Sequence, residues 1–331
     1  MADEIRTASD VGETGGLGAR VAHWVLLGGN RMAVALLLVG AVVALLYGAN
    51  WVGVLTVGPS SIAATAFASG FISATVTLVT IALSINQLIL SRVFGSPSGL
   101  SQKLQGTREL RERVRDHAGE PAVPNDPAAF LELLATTLTA RANSLREASA
   151  GSDRSGAVDD YADGIAAYGE SIAADVEEGT PIVDVLDVIL GTEYAKNLTA
   201  TTALRNRDGG AISEAATDEV DAIEDLLESV AVTRQFFKTL SLQQDFARLS
   251  RVVAYTGLLA LVTSVVLAFL YRTGSATIPE QYLPVVVSVG IGVIVTPLCI
   301  FIAYVFRAAT IARHTVSVGP FVPPEADSGK G

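Results

Sequence analysis

Hydrophobic residues in this chain fall into four long uninterrupted runs, two near each end. Between them they recur at helical spacing. The runs are Met32–Asn50, about 68–91, Val252–Tyr271 and about 283–306, and none holds an Asp, Glu, Lys, Arg or His. A bilayer core about 30 Å thick takes roughly 20 apolar residues of helix, so each run is long enough to cross one. The alternative, buried helices of a soluble protein, accounts poorly for four uncharged runs of this length. The pattern predicts an all-α fold: four transmembrane helices, two N-terminal and two C-terminal, flanking a cytoplasmic helical bundle.

From 92 to 251 the apolar positions settle into a three-four spacing without strand-like alternation. Asp126-Pro127 is a helix start, an N-cap followed by proline at the first helical position, and Phe130, Leu134, Leu138 and Leu145 form the face behind it. Val158, Tyr161, Ile165, Tyr168, Ile172 and Val176 make a second face, ending before Gly179. Thr180-Pro181 repeats the cap-and-proline start ahead of Val183, Leu186, Ile189 and Leu190. After a break at Asn206–Gly210, Val220, Ile223, Leu227 and Val230 open a long helix expected to run on into the third membrane segment. The organisation expected is a disordered tail at 1–19, an interfacial segment with transmembrane helices 1–2 at 20–91, an acidic cytoplasmic helical domain at 92–251, transmembrane helices 3–4 at 252–306, and a disordered tail at 307–331.

Charge sharpens that division. The formal net charge of −11 sits wholly in the middle region, where 27 Asp/Glu face 16 Lys/Arg between Arg92 and Arg251. Arg20, Arg31, Arg92, Arg248, Arg251, Arg307 and Arg313 border one set of membrane-helix ends, and only Arg272 borders the other. The positive-inside rule then places the N-terminus, the middle region and the C-terminus in the cytoplasm of a multi-pass cell-membrane protein. Tyr47, Trp51, Tyr271 and Tyr282 are expected in the outer aromatic belt, and Trp24, Tyr255 and Tyr304 near the inner one. The acidic surface argues against nucleic acid as a partner, since phosphate needs a basic patch.

The second membrane segment carries an unusual set of hydroxyls and amides. Thr65, Ser69, Ser73, Thr77, Thr80, Ser84, Gln87 and Ser91 are spaced three or four apart and form one stripe. Two uses stand. Hydroxyls and small residues join transmembrane helices, and Gly40-Ala44-Gly48 and Ser288-Gly292-Thr296 are small-residue tracks that could receive the stripe. Alternatively, Ser73, Thr77, Thr80, Ser84, Gln87 and Ser91 line a water-filled path between several chains, as in a homo-oligomeric channel. Pro297 in the fourth segment removes a backbone hydrogen bond, a device that bends a helix and can serve as a hinge.

Catalytic chemistry is not evident, and the chain is expected not to be an enzyme and to need no cofactor or metal. His23, His117 and His314 are scattered, and the one cysteine, Cys299, excludes an internal disulfide. Carboxylates at Asp159, Asp160 and Asp163, and at Asp218–Glu228, share helix faces but lack the glycine turn of a calcium loop. Asn197-Leu198-Thr199 is a sequon on the expected cytoplasmic side.

Four lysines against 19 arginines, with abundant Asp, Glu, Ala, Val and Thr, give a composition similar to that of haloarchaeal proteins. The polar second helix leading through "SINQLILSR" into a helical cytoplasmic region resembles a family of haloarchaeal four-helix integral membrane proteins for which no activity carries over. The two-plus-two layout is loosely similar to bestrophin-type anion channels, without their acidic calcium clasp or aromatic neck. Beside the bilayer and other copies of the chain, the remaining expected partner is a cytoplasmic protein, if the chain is a membrane-anchored scaffold or sensor.

Overall fold

Uncharged runs favour helices because a helix satisfies its backbone groups within one segment, and helices make up nearly all the regular structure. The computed structural model describes residues 7–8, 16–58, 65–93, 97–150, 155–191, 193–208, 213–272 and 275–314. In chain order the helices are α1 (Leu17–His23), α2 (Arg31–Trp51), α3 (Ile72–Val93), α4 (Pro97–Ala118), α5 (Pro127–Ala148), α6 (Ser155–Ala174), α7 (Ile182–Val188), α8 (Glu193–Asp208), α9 (Glu214–Leu270) and α10 (Leu283–His314). Wide π-type turns at Trp24–Gly28 and Ala66–Phe71 adjoin α1 and α3. A two-residue antiparallel ladder, β1 (Tyr271–Arg272) with β2 (Ser275–Ala276), follows α9.

Among the described residues, four helical stretches are long and apolar enough to cross a membrane: Arg31–Trp51, Ala66–Ile85, the apolar part of α9, and Glu280–Arg313. As expected, α9 runs without a break from the middle region into the third apolar run. α10 passes the expected boundary at Phe306 and continues to His314, so residues 307–314 are helix rather than tail. The rest of that tail, 315–331, and most of 1–19 lie outside the described residues.

By its contacts the chain divides into a polar unit (Met1–Arg20, Ser96–Ser241, Thr310–Gly331) and an apolar unit (Val21–Gly95, Leu242–Ala309). In the polar unit α5 and α6 pack along each other, burying Phe130, Leu134, Leu138 and Leu145 against Val158, Tyr161, Ile165, Tyr168 and Ile172. Val220, Ile223, Leu227 and Val230 of α9 are buried as well. Asp126 caps α5, its Oδ1 accepting from the Ala128 and Ala129 amides at 3.0 Å. Thr180 does not cap α7. Its hydroxyl donates back to Glu177 O at 2.6 Å, and α7 starts after Pro181 without a side-chain cap. Ile182, Val185, Leu186 and Ile189 are buried at helical spacing, and Val183 is half-buried.

Among the described residues the apolar unit has two buried apolar clusters. Val34, Ala35, Ala82, Leu249, Val253, Cys299, Ile300, Ala303 and Tyr304 form one. Phe67, Leu267, Tyr271, Leu283, Val287 and Ile294 form the other, with the Phe67 ring 5.7 Å from Phe71 and 6.4 Å from Tyr271. Tyr271 and Tyr304 are therefore core residues, whereas Tyr47, Trp51, Tyr282, Trp24 and Tyr255 are exposed. Leu36, Leu37, Leu45, Leu258, Leu259, Val262, Val266 and Phe269 are exposed too. An uncovered apolar surface of this extent suits lipid or further protein.

Candidate functional site

The polar stripe follows from α3 and the π-type turn ahead of it. Thr65, Ser69, Ser73, Thr77, Thr80, Ser84 and Gln87 are all exposed, while Ser91 lies in the helix with its side chain outside the described residues. Ser69 donates to Thr65 O at 2.8 Å, and Thr77, Thr80 and Ser84 donate to Ser73 O, Val76 O and Thr80 O, each at 2.9 Å. Each hydroxyl thus spends its proton on its own helix, four residues back, and keeps acceptor capacity facing outward. The face of α3 that packs inside the chain is the other one. Thr75 and Ala82 are buried, and Val79 packs against the cluster around Cys299.

The small-residue tracks take other neighbours. A Cβ on Gly292 would meet Val43 Cγ2 at 2.5 Å and Val39 Cγ1 at 3.5 Å, so this track receives α2. Gly40 and Gly48 have nothing within 4 Å of that position. Gly257 of α9 is the glycine set against α3, facing Val79 and Thr75. Pro297 is buried inside α10, which continues through it.

A second polar centre in the apolar unit had no counterpart among the sequence expectations. Arg31 and Arg307 were expected as interfacial charges, yet they are only 3% and 8% exposed. Arg31 opens α2 and folds back over the C-terminal end of the π-type turn. Its guanidinium donates to Val25 O at 2.8 Å, to Trp24 O and Leu27 O at 3.2 Å, and to Gly29 O at 2.7 and 2.9 Å. Carbonyls at a helix end lack intrahelical donors, and the guanidinium supplies them, while Trp24 O also accepts the Gly29 amide at 2.8 Å. Arg307 donates to the same Gly29 O at 2.8 Å and pairs with Asp245 at 3.4 Å. Burial pushes the Asp245 carboxyl above its ordinary range, with Arg307, Arg31 and Arg248 pulling against it. Gly29 admits no side chain, since a Cβ there would run into Trp24 O and the indole ring. The only sequence signal was Arg31 following "GGN" directly, a basic residue where a helix starts.

In the polar unit Arg234 is 1% exposed, donates to Leu190 O at 2.6 Å and Tyr194 Oη at 3.1 Å, and lies 5.0 Å from the Tyr194 ring centre. Burial lowers its pKa. The acidic stretch of α9 is cross-braced by bases from other helices: Arg141 to Glu219 at 3.3 Å, Arg113 to Glu228 at 3.4 Å, His117 to Asp225 at 3.2 Å, and Arg205 to Asp221 and Glu224. Arg146 pairs with Asp163 at 2.7 Å. The hollow bounded by Asp221, Glu224, Asp225 and Glu228 therefore already holds a guanidinium. Among the described residues no group of three His, Cys, Asp or Glu side chains is arranged to hold a metal ion.

Asn197 of the sequon is fully buried, and its amide is bonded to the backbone of Ala8.

Residues 2–330 match a family of unknown function, DUF7972, and the chain belongs to that family. No curated protein and no solved structure matches it. The likeness to bestrophin-type channels therefore rests on the sequence layout alone.

Proposed function

We propose that this member of the family is a non-enzymatic, homo-oligomeric integral membrane protein. In it, second membrane helices from several copies converge through Ser73, Thr77, Thr80, Ser84 and Gln87 to enclose a polar, channel-like path, with Ser91 at its cytoplasmic end. One observation carries this reading: every described residue of the stripe is exposed while the opposite face of α3 takes the packing within the chain. A primary amide at the lipid face forfeits hydrogen bonds worth roughly 1–3 kcal/mol, so Gln87 in particular favours a neighbouring chain or water. The arginine distribution supports cytoplasmic termini and a cytoplasmic helical domain. The carboxylate-rich, lysine-poor surface suits a haloarchaeal cytoplasm, where strong salt screens self-repulsion over a few ångström.

The test begins with Cys299→Ala, which leaves the chain without cysteine. Single cysteines then replace Thr77, Thr80, Ser84 or Gln87, with exposed Leu83 as the off-stripe control. On oxidation in native membranes, disulfide-linked dimers should form at the stripe positions and not at Leu83. Gln87→Leu should then alter ion flux in reconstituted vesicles. Absence of cross-links at all four stripe positions would end the proposal.

A further inference from the structure

The contacts at Asn197 supply an inference that does not depend on the stripe. We infer that the polar unit carries a backbone-reading peptide site between α6 and α8, and that its occupant is the chain's own N-terminal segment at Thr7-Ala8. Asn197 Oδ1 accepts the Ala8 amide at 2.7 Å, and Nδ2 donates to Ala8 O at 2.9 Å. One side-chain amide thus satisfies both backbone polar groups of a single residue, as a neighbouring β-strand does. Only one orientation of the amide permits this, because donor and acceptor must both match.

The residues beneath hold Asn197 in place. Thr201 Oγ1 donates to Asn197 O at 2.8 Å and lies 2.6 Å from the Tyr161 hydroxyl. Thr201 has one proton and gives it to Asn197, so Tyr161 donates to Thr201. Those bonds hold the Asn197 backbone, and Tyr161, Asn197 and Thr201 are all fully buried, so close packing leaves the side-chain amide little freedom to lose on gripping a peptide. Beside it, Gly164 of α6 makes room for the neighbouring residue. A Cβ on Gly164 would overlap the Thr7 hydroxyl and approach Thr7 Cβ to 2.5 Å. The site therefore reads backbone groups and requires no side chain on its own floor.

Tethering selects the occupant. Two hydrogen bonds are too few to hold a free peptide, whereas a segment of the same chain is present at about millimolar effective concentration. Burial and the bond from Nδ2 to Ala8 O also put the sequon's Asn197 out of reach of modification while the site is occupied.

Trypsin cleavage at the Arg6–Thr7 bond tests the site in the full-length protein, because a protease must draw Thr7 and Ala8 into its own cleft. Loss of residues 1–6 is followed by intact mass, with the far-ultraviolet circular dichroism melt of the full chain as the check on folding. Cleavage should be at least tenfold faster in Gly164→Ala and Asn197→Ala than in the wild type. Adding Thr7→Gly to Gly164→Ala should restore most of the protection, since the clash is with the Thr7 side chain. Equal cleavage rates in the wild type and both single variants would overturn the site. Protection that disappears on dilution would overturn the intramolecular occupant in favour of a second copy.

Discussion

Gly292→Ala measures how closely α10 approaches α2. The added Cβ would meet Val43 Cγ2 at 2.5 Å, against an ordinary carbon–carbon contact of about 3.5–4.0 Å. Val43 must therefore give way by more than about 1 Å. A β-branched side chain in a helix has essentially one rotamer, and leaving it costs about 0.5–1.5 kcal/mol. Separating the helices instead incurs the overpacking penalty of about 1–3 kcal/mol. Alanine regains at most about 1 kcal/mol in helix propensity, so a net loss of about 0–2 kcal/mol is expected. Val43→Ala alone should cost about 1 kcal/mol in packing. It also removes the clashing methyl, leaving the new Cβ with Val39 Cγ1 at 3.5 Å and the Cβ of residue 43 at 4.0 Å, both ordinary contacts. In the Val43→Ala background Gly292→Ala should therefore be neutral or stabilising, a coupling of about 0.5–3 kcal/mol. Cys299, the sole cysteine and 5% exposed, reports unfolding in detergent through reaction with a fluorogenic maleimide during a thermal ramp. Additivity of the two substitutions within about 0.5 kcal/mol would refute the close approach. Coupling of Gly292→Ala to Thr80→Ala or Ser84→Ala instead would show that the track receives the stripe.

Three further outcomes follow from the polar centres. Arg31→Met strips donors from the carbonyls of Trp24, Val25 and Leu27 and should destabilise by about 3–5 kcal/mol, read as early Cys299 labelling. Arg31→Lys should rescue little, because a single ammonium cannot span those carbonyls. Arg234→Met leaves Leu190 O and the Tyr194 hydroxyl without that donor while relieving a buried charge, for a net loss of about 2 kcal/mol in thermal unfolding of the full chain. The Asp245 carboxyl is raised above 3.8, so the folded state holds its proton more tightly than the unfolded chain does. The stability from that proton is complete below about pH 4 and lost as pH rises through the raised value. Asp245→Asn should therefore match the wild type in acid and equal or exceed it at pH 7. A clear deficit for the variant at pH 7 would mean that the Arg307 pair outweighs burial.

Local patterns carried much of the architecture. The inward faces Phe130–Leu145 and Val158–Ile172 were legible because an aqueous surface sorts polar from apolar positions along a helix. The Asp126 cap was legible because it needs only its own next three residues. Thr180-Pro181 carries the same local signal, yet Thr180 turns back to Glu177 and α7 begins one residue later, a choice made by the turn before it.

In the apolar runs that sorting fails. Lipid is as apolar as a protein core, so hydrophobicity does not say which side of a membrane helix meets its neighbours. The sequence by itself determined four spans of sufficient length, an acidic helical region between them, and a polar line along the second span. Only the tertiary structure decided that this line faces outward while Thr75, Val79 and Ala82 pack inward, that Gly292 receives α2, and that Arg31 and Arg307 close on one carbonyl. It alone brought Ala8 to Asn197, 189 residues away. Each of these depends on helix rotation and long-range approach, which in an apolar medium are set by shape and by the pairing of the few polar groups.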